Sequence, residues 1–107
     1  MFETLPSREP GVNVYGVGGE FKPHTDGHTL TVLMPLTSND EFEGGGTAFW
    51  AEDNTAHRLT PPAAVLKPKR GSAMLFSGHL THAGQAVSAG ERVVLVGSFS
   101  GKSRPVT

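Results

Sequence analysis

Glycine or proline interrupts almost every stretch of this chain long enough to form a helix. Fourteen glycines and eight prolines are spread through 107 residues. No window of about eleven residues keeps apolar side chains at the i, i+3, i+4, i+7 spacing of a helix face. Long helices are thereby excluded. Between the interruptions lie short runs of β-branched and aromatic residues, which suit a pleated, half-buried surface. They cover 12–17, 20–22, 29–36, 47–51, 64–67, 73–76, a weaker run at 85–87, and 92–100. Turn signals separate them, among them Gly18-Gly19, Ser38-Asn39-Asp40, Gly44-Gly45-Gly46, Pro61-Pro62 and Ala89-Gly90. Seven or eight short strands at this spacing predict an all-β sandwich or small barrel with little or no helix. Residues 11–100 form its single core, between an N-terminal tail at 1–10 and a C-terminal tail at 101–107.

Composition narrows the chemistry. Lys plus Arg (9) nearly cancels Asp plus Glu (10), a formal charge of -1. That leaves no basic excess with which to neutralise nucleic-acid phosphates or an anionic membrane surface. No apolar run exceeds the length of Val93–Val96, far short of the roughly 18 residues of a membrane span. The first ten residues have no apolar segment of the kind that directs secretion. The expectation is a soluble, intracellular protein. There is no cysteine, so disulfides, thiolate metal sites and thiol nucleophiles are excluded, and any metal must be held by histidine and carboxylate.

Side chains alternate faces along a strand. In 29–36, Leu30, Val32, Met34 and Leu36 share one face, and Thr29, Thr31 and Leu33 the other. In the last run Arg92, Val94, Val96 and Ser98 share a face, so a charge points the same way as two valines. A buried arginine calls for an anionic partner. His24 and Asp26, two apart in an extended segment, can offer an imidazole nitrogen and a carboxylate oxygen to one cation. His82 can supply a third ligand. A hairpin through Ser88-Ala89-Gly90 returns the chain to Arg92, about a small molecule's length away. Two histidines and one carboxylate on one side of a metal leave three positions open, the arrangement of non-haem Fe(II) oxygenases. The guanidinium can then fork onto the far carboxylate of a chelating ligand.

YGVGGEFKPHTD, FEGGGTAFW and the stretch from GSAMLF to HAGQAVSAGER, taken together, resemble the 2-oxoglutarate- and Fe(II)-dependent dioxygenases, in particular their prolyl 4-hydroxylase-like branch. The resemblance runs from about Val14 to Phe99. It implies a double-stranded β-helix, or jelly roll, with iron between its sheets. It implies His24, Asp26 and His82 as iron ligands, Arg92 as the partner of the far carboxylate of 2-oxoglutarate, and Tyr15 as a further contact to that co-substrate. Phe21 matches an aromatic ahead of the first ligand, and Gly45-Gly46-Thr47 a turn opening a strand beside the site. The cofactors implied are Fe(II), 2-oxoglutarate and O2, with ascorbate as an accessory reductant. The reaction implied is hydroxylation of a substrate C–H bond with release of succinate and CO2. A peptidyl proline or other protein side chain is the favoured substrate, followed by small metabolites.

Competing readings attach to several residues. His79 lies three before His82 and would face the opposite way in an extended strand; the distance to Arg92 favours His82. His28 is expected to be exposed or near the substrate mouth, and His57 solvated. Of the adjacent Phe49 and Trp50, one faces inward and the other outward, with Phe49 assigned to the core. Lys67, Lys69 and Arg70 read as a solvated, charged sheet edge. Family members usually carry helices ahead of the first ligand. Only about fourteen residues precede the match here, so one outer sheet face is expected to lie exposed or to be covered by a missing segment or a partner. Two other classes remain open: a non-catalytic jelly-roll module that binds a metal or an acidic ligand, and a cupin-like metalloprotein using Zn or Mn.

Overall fold

A computed structural model describes residues 2–4, 11–51 and 60–101. Among them are eleven strands and no helix: β1 (Phe2–Thr4), β2 (Gly11–Tyr15), β3 (Phe21–His24), β4 (Leu30–Pro35), β5 (Phe42–Gly44), β6 (Thr47–Phe49), β7 (Ala64–Leu66), β8 (Met74–Ser77), β9 (His82–Gly84), β10 (Val87–Gly90) and β11 (Arg92–Gly101). No helix of the described residues is long and apolar enough to cross a membrane.

β11 is the spine of a five-stranded sheet. One of its edges pairs with β4 over 94–99, and β4 in turn pairs with β8. Its other edge pairs with β2 over 92–96 and with β1 at 99–101. A four-stranded sheet in the order β3-β9-β6-β7 lies opposite, and β5 and β10 form a small ribbon. All these ladders are antiparallel, and the architecture is the jelly roll. The ribbon turns into β6 through Gly44, Gly45 and Gly46, all at positive φ (70°, 67° and 95°), a region that only glycine enters without strain.

The five-stranded sheet inverts the usual distribution of polarity. On β4 the mixed face is the buried one, with Thr31, Leu33 and Pro35 turned inward, while the apolar Leu30, Val32 and Met34 are only half-buried outside. β11 turns Arg92, Val94 and Ser98 inward. The outer face presents Val12, Val14 and Leu75, the last two 60% and 59% exposed. Tyr15, Leu33, Phe42, Val87 and Val94 pack as the main core, with Met74, Phe76 and Val96 against it. A second cluster joins Ala48, Trp50 and Ala83 on the far side of the other sheet. Trp50 thus faces away from Phe49, as strand alternation predicts, but is buried as well, because its indole packs with the two alanines and donates to the Thr60 carbonyl at 3.1 Å.

The strand reading holds in outline, misses β5 and β9, and reaches β10 only at Val87. β5, β9 and β10 carry few β-branched residues and exist because their neighbours supply hydrogen-bond partners: β9 is central in its sheet, between β3 and β6. Residues 2–4 pair with the end of β11; the rest of the expected tails, and His57, lie outside the described residues.

Candidate active site

Two neighbouring strands of the four-stranded sheet carry the histidines. His24 closes β3 and His82 opens β9, and the two are directly opposite in that antiparallel ladder, with ring centroids 4.4 Å apart. Antiparallel register thus joins two stretches of sequence 58 positions apart. Asp26 follows on the turn into β4, anchored by its backbone N–H to the Gly78 carbonyl at 2.7 Å. Its carboxylate lies between the imidazoles, Oδ1 3.3 Å from His24 Nε2 and Oδ2 3.3 Å from His82 Nε2. One donor atom from each of the three residues falls within 4.8 Å of the others.

Both rings are held from behind. His24 Nδ1 donates to the Lys22 carbonyl at 2.7 Å and His82 Nδ1 to the Leu80 carbonyl at 2.8 Å. Each bond fixes the ring and leaves Nε2 facing the carboxylate, the outer support usual behind a metal-bound imidazole. His82, 6% exposed, has Phe76 edge-on at 4.8 Å. His24 is half-buried, with the exposed Phe21 against it at 4.3 Å. Burial alone would raise the Asp26 pKa, but hydrogen bonds from His24, His82 and Thr31 outweigh it and hold the carboxyl far below its ordinary range. The bond to Asp26 raises the His24 pKa above the usual imidazole value, against the opposing effect of burial.

The cluster opens into a cavity of about 350 Å³ between the two sheets, near the lower end of sizes that accept a small ligand. Arg92 lines it from β11 at 3% exposure. One guanidinium nitrogen donates to Thr47 Oγ1 at 2.9 Å, and the Tyr15 ring lies 5.2 Å beneath the group. Burial lowers the Arg92 pKa, with Tyr15 opposing; a guanidinium remains charged regardless. No carboxylate among the described residues pairs with it. The Tyr15 hydroxyl rests over Gly84, where a Cβ would sit only 3.0 Å from it.

All five residues singled out in the sequence therefore line one cavity, three at one end and two toward the other. His79 is exposed on the turn before β9, and His28 is half-buried with Nδ1 2.9 Å from Ser100 Oγ. Thr47, placed by the sequence only in a turn beside the site, also lines the cavity, as do Thr31, Asn13 and Ser98, to which the sequence reading assigned no role. For Thr31 and Ser98 the available signal was strand parity: each is polar on a face shared with buried apolar residues, and the two are directly opposite in the β4–β11 ladder.

Residues 10–100 match the family model of the 2OG-Fe(II) oxygenase superfamily. The chain belongs to that superfamily. A crystal structure of an oxidoreductase of the 2OG-Fe(II) oxygenase family from Burkholderia pseudomallei superposes with a TM-score of 0.67 at 23% identity, over 83% of this chain and 41% of that one. The likeness is one of fold, and the chain spans about two-fifths of that protein's length. An RmlC-like cupin protein from Desulfovibrio desulfuricans aligns at 16% identity over 91% of this chain and 80% of its own, with a TM-score of 0.47. No curated protein matches the sequence.

Superfamily membership implies Fe(II) and 2-oxoglutarate and lends no support to ascorbate. The residues present fit an iron ion. Each imidazole Nε2 stands 3.3 Å from one of the two Asp26 oxygens, and one donor atom from each residue lies within 4.8 Å of the others, close enough to share a single ion. Two imidazoles and one carboxylate form the donor set of a facial triad.

Proposed function

We propose that this chain is an Fe(II)- and 2-oxoglutarate-dependent dioxygenase of the prolyl 4-hydroxylase-like branch that hydroxylates a peptidyl proline or another protein side chain. One observation carries the reading. A buried guanidinium with no carboxylate partner among the described residues faces the same cavity as a His-Asp-His cluster. A buried charge is costly without a counter-charge, and a dicarboxylate that chelates a metal at one end supplies it at the other.

His24 Nε2, His82 Nε2 and one Asp26 oxygen would hold the iron, which when bound supplies the oxidative decarboxylation of 2-oxoglutarate by O2, with succinate and CO2 formed and one oxygen atom delivered to the substrate. Arg92 orients the co-substrate by its far carboxylate, kept in place by Thr47 from one side and the Tyr15 ring from below. The Tyr15 hydroxyl, which has no hydrogen-bond partner among the described residues, can donate along the same molecule. Phe76 and Phe49 keep water from the inner side of His82. On the outer side, Phe21, 48% exposed, borders an opening through which a side chain on a larger molecule can reach the metal end. This supports a protein substrate.

The test supplies anaerobically prepared, Fe(II)-loaded protein with 2-oxoglutarate and proline-containing peptides, then admits oxygen. Succinate and a peptide heavier by one oxygen atom are expected. Succinate formed with small metabolites only would move the substrate class, and no oxygen-dependent succinate with any substrate would remove the enzymatic reading.

A further inference from the structure

Asp26 has a third neighbour that the ligand set does not explain. Thr31 is 1% exposed, points inward from β4, and its hydroxyl donates a short hydrogen bond to Asp26 Oδ2. The two carboxylate oxygens are consequently unequal: Oδ1 faces only His24, whereas Oδ2 faces His82 and also accepts from Thr31. The inequality matters because a carboxylate can grip a metal with one oxygen or with both. Gripping with one leaves three positions for a two-toothed co-substrate and O2. Gripping with both leaves two.

We propose that Thr31 is a positioning residue that holds Asp26 to one-oxygen ligation, and so keeps open the third position, the one that remains for O2 once a two-toothed 2-oxoglutarate has taken the other two. The proposal rests on the iron-binding reading above. Thr31 is not one of the three ligand residues, and its hydroxyl is engaged with Asp26. It is well placed to position that carboxylate: its Cα is fixed between Ser98 and Phe76 in the ladders of the five-stranded sheet, whereas Asp26 sits on a turn. The rigid strand thus sets the carboxylate's rotation, as supporting contacts around ligands commonly do. The sequence offers a local reason for the reach. Five positions separate the two residues, and the chain reverses between them, with Asp26 bound at its N–H to Gly78.

The test uses Mn(II) as the metal and reads the water molecules on it by proton relaxation, with and without 2-oxoglutarate. Thr31→Val keeps the shape and removes the hydroxyl; Thr31→Ser keeps the hydroxyl. In T31V, Mn(II) is expected to bind as tightly as in the wild type or more tightly, with bound water reduced by about one-third as three open positions become two. Saturating 2-oxoglutarate, which takes two positions, is expected to leave about one water on the metal in the wild type and none in T31V. T31S is expected to behave as the wild type. Should T31V not fold, T31S against T31A isolates the same hydroxyl. An unchanged water count in the hydroxyl-free variant, with and without 2-oxoglutarate, would overturn the proposal, as would parallel losses of metal and co-substrate in T31V and T31S alike. The water count without 2-oxoglutarate is read on metal alone. A wild type that binds Mn(II) but never 2-oxoglutarate would sink the dioxygenase reading while leaving the role of Thr31 decided.

Discussion

The two ends of the cavity handle charge in opposite ways. At the metal end Asp26 is already compensated within the chain, by His24, His82 and Thr31, and the cluster is only partly buried. At the other end Arg92 is almost fully buried and has a hydroxyl and an aromatic face for company, but no counter-charge among the described residues. The metal end must therefore give up a proton to take a cation. The arginine end has nothing to give up and waits for an anion. One pocket thus has two ends suited to ligands of opposite charge, each by a different local rule.

Breaking the ends separately should give separable losses. Asp26→Ala is expected to have the largest effect, weakening Fe(II) or Mn(II) binding by more than about a hundredfold, beyond what loss of a mere supporting contact does, as read by metal titration. Arg92→Ala is expected to leave metal binding intact and to raise the 2-oxoglutarate requirement by at least about thirtyfold, the low end for removing one partner of a buried charge pair. If metal binding fell with it, the two ends would not be independent.

The third contrast is in pH. A metal needs His24 neutral, and the bond to Asp26 raises its pKa, so the proton persists at pH values where an ordinary imidazole has lost it. Metal affinity is expected to climb as pH rises through that raised value, with about one proton released per ion, measured by calorimetry in buffers of different ionisation heat. In metal-free protein the same proton stabilises the fold at pH values below the ordinary histidine pKa. That contribution is lost as pH rises through the raised value. The arginine end should show no such dependence. The smallest effect is expected for Thr47→Val, which removes one hydrogen bond to Arg92 and should raise the 2-oxoglutarate requirement about fivefold with no change in metal affinity.

Much of this was legible in the sequence, for identifiable reasons. Glycine and proline punctuation delimited the strands because turns need particular backbone angles. The parity of Arg92 with Val94 and Ser98 follows from the alternation of side chains in a strand, whereas His24 and Asp26 converge although Asp26 lies two residues past the end of β3. What escaped depends on pairing between distant segments. β9 is a strand because β3 and β6 flank it, and Thr47 reaches Arg92 only because the two sheets face each other. Trp50 is buried by a contact that parity within one strand cannot foresee. The inward turn of the more polar face of β4 likewise reflects what that face surrounds, a cavity lined by charged and polar side chains.

Anaerobic titration of 2-oxoglutarate into Fe(II)-loaded protein tests the central claim most directly, through the visible charge-transfer band of the chelate. The expected result is a band that saturates in the wild type, is lost in Asp26→Ala, and returns in Arg92→Ala only at far higher 2-oxoglutarate. Folded wild-type protein with iron bound and no band at any concentration would contradict the account.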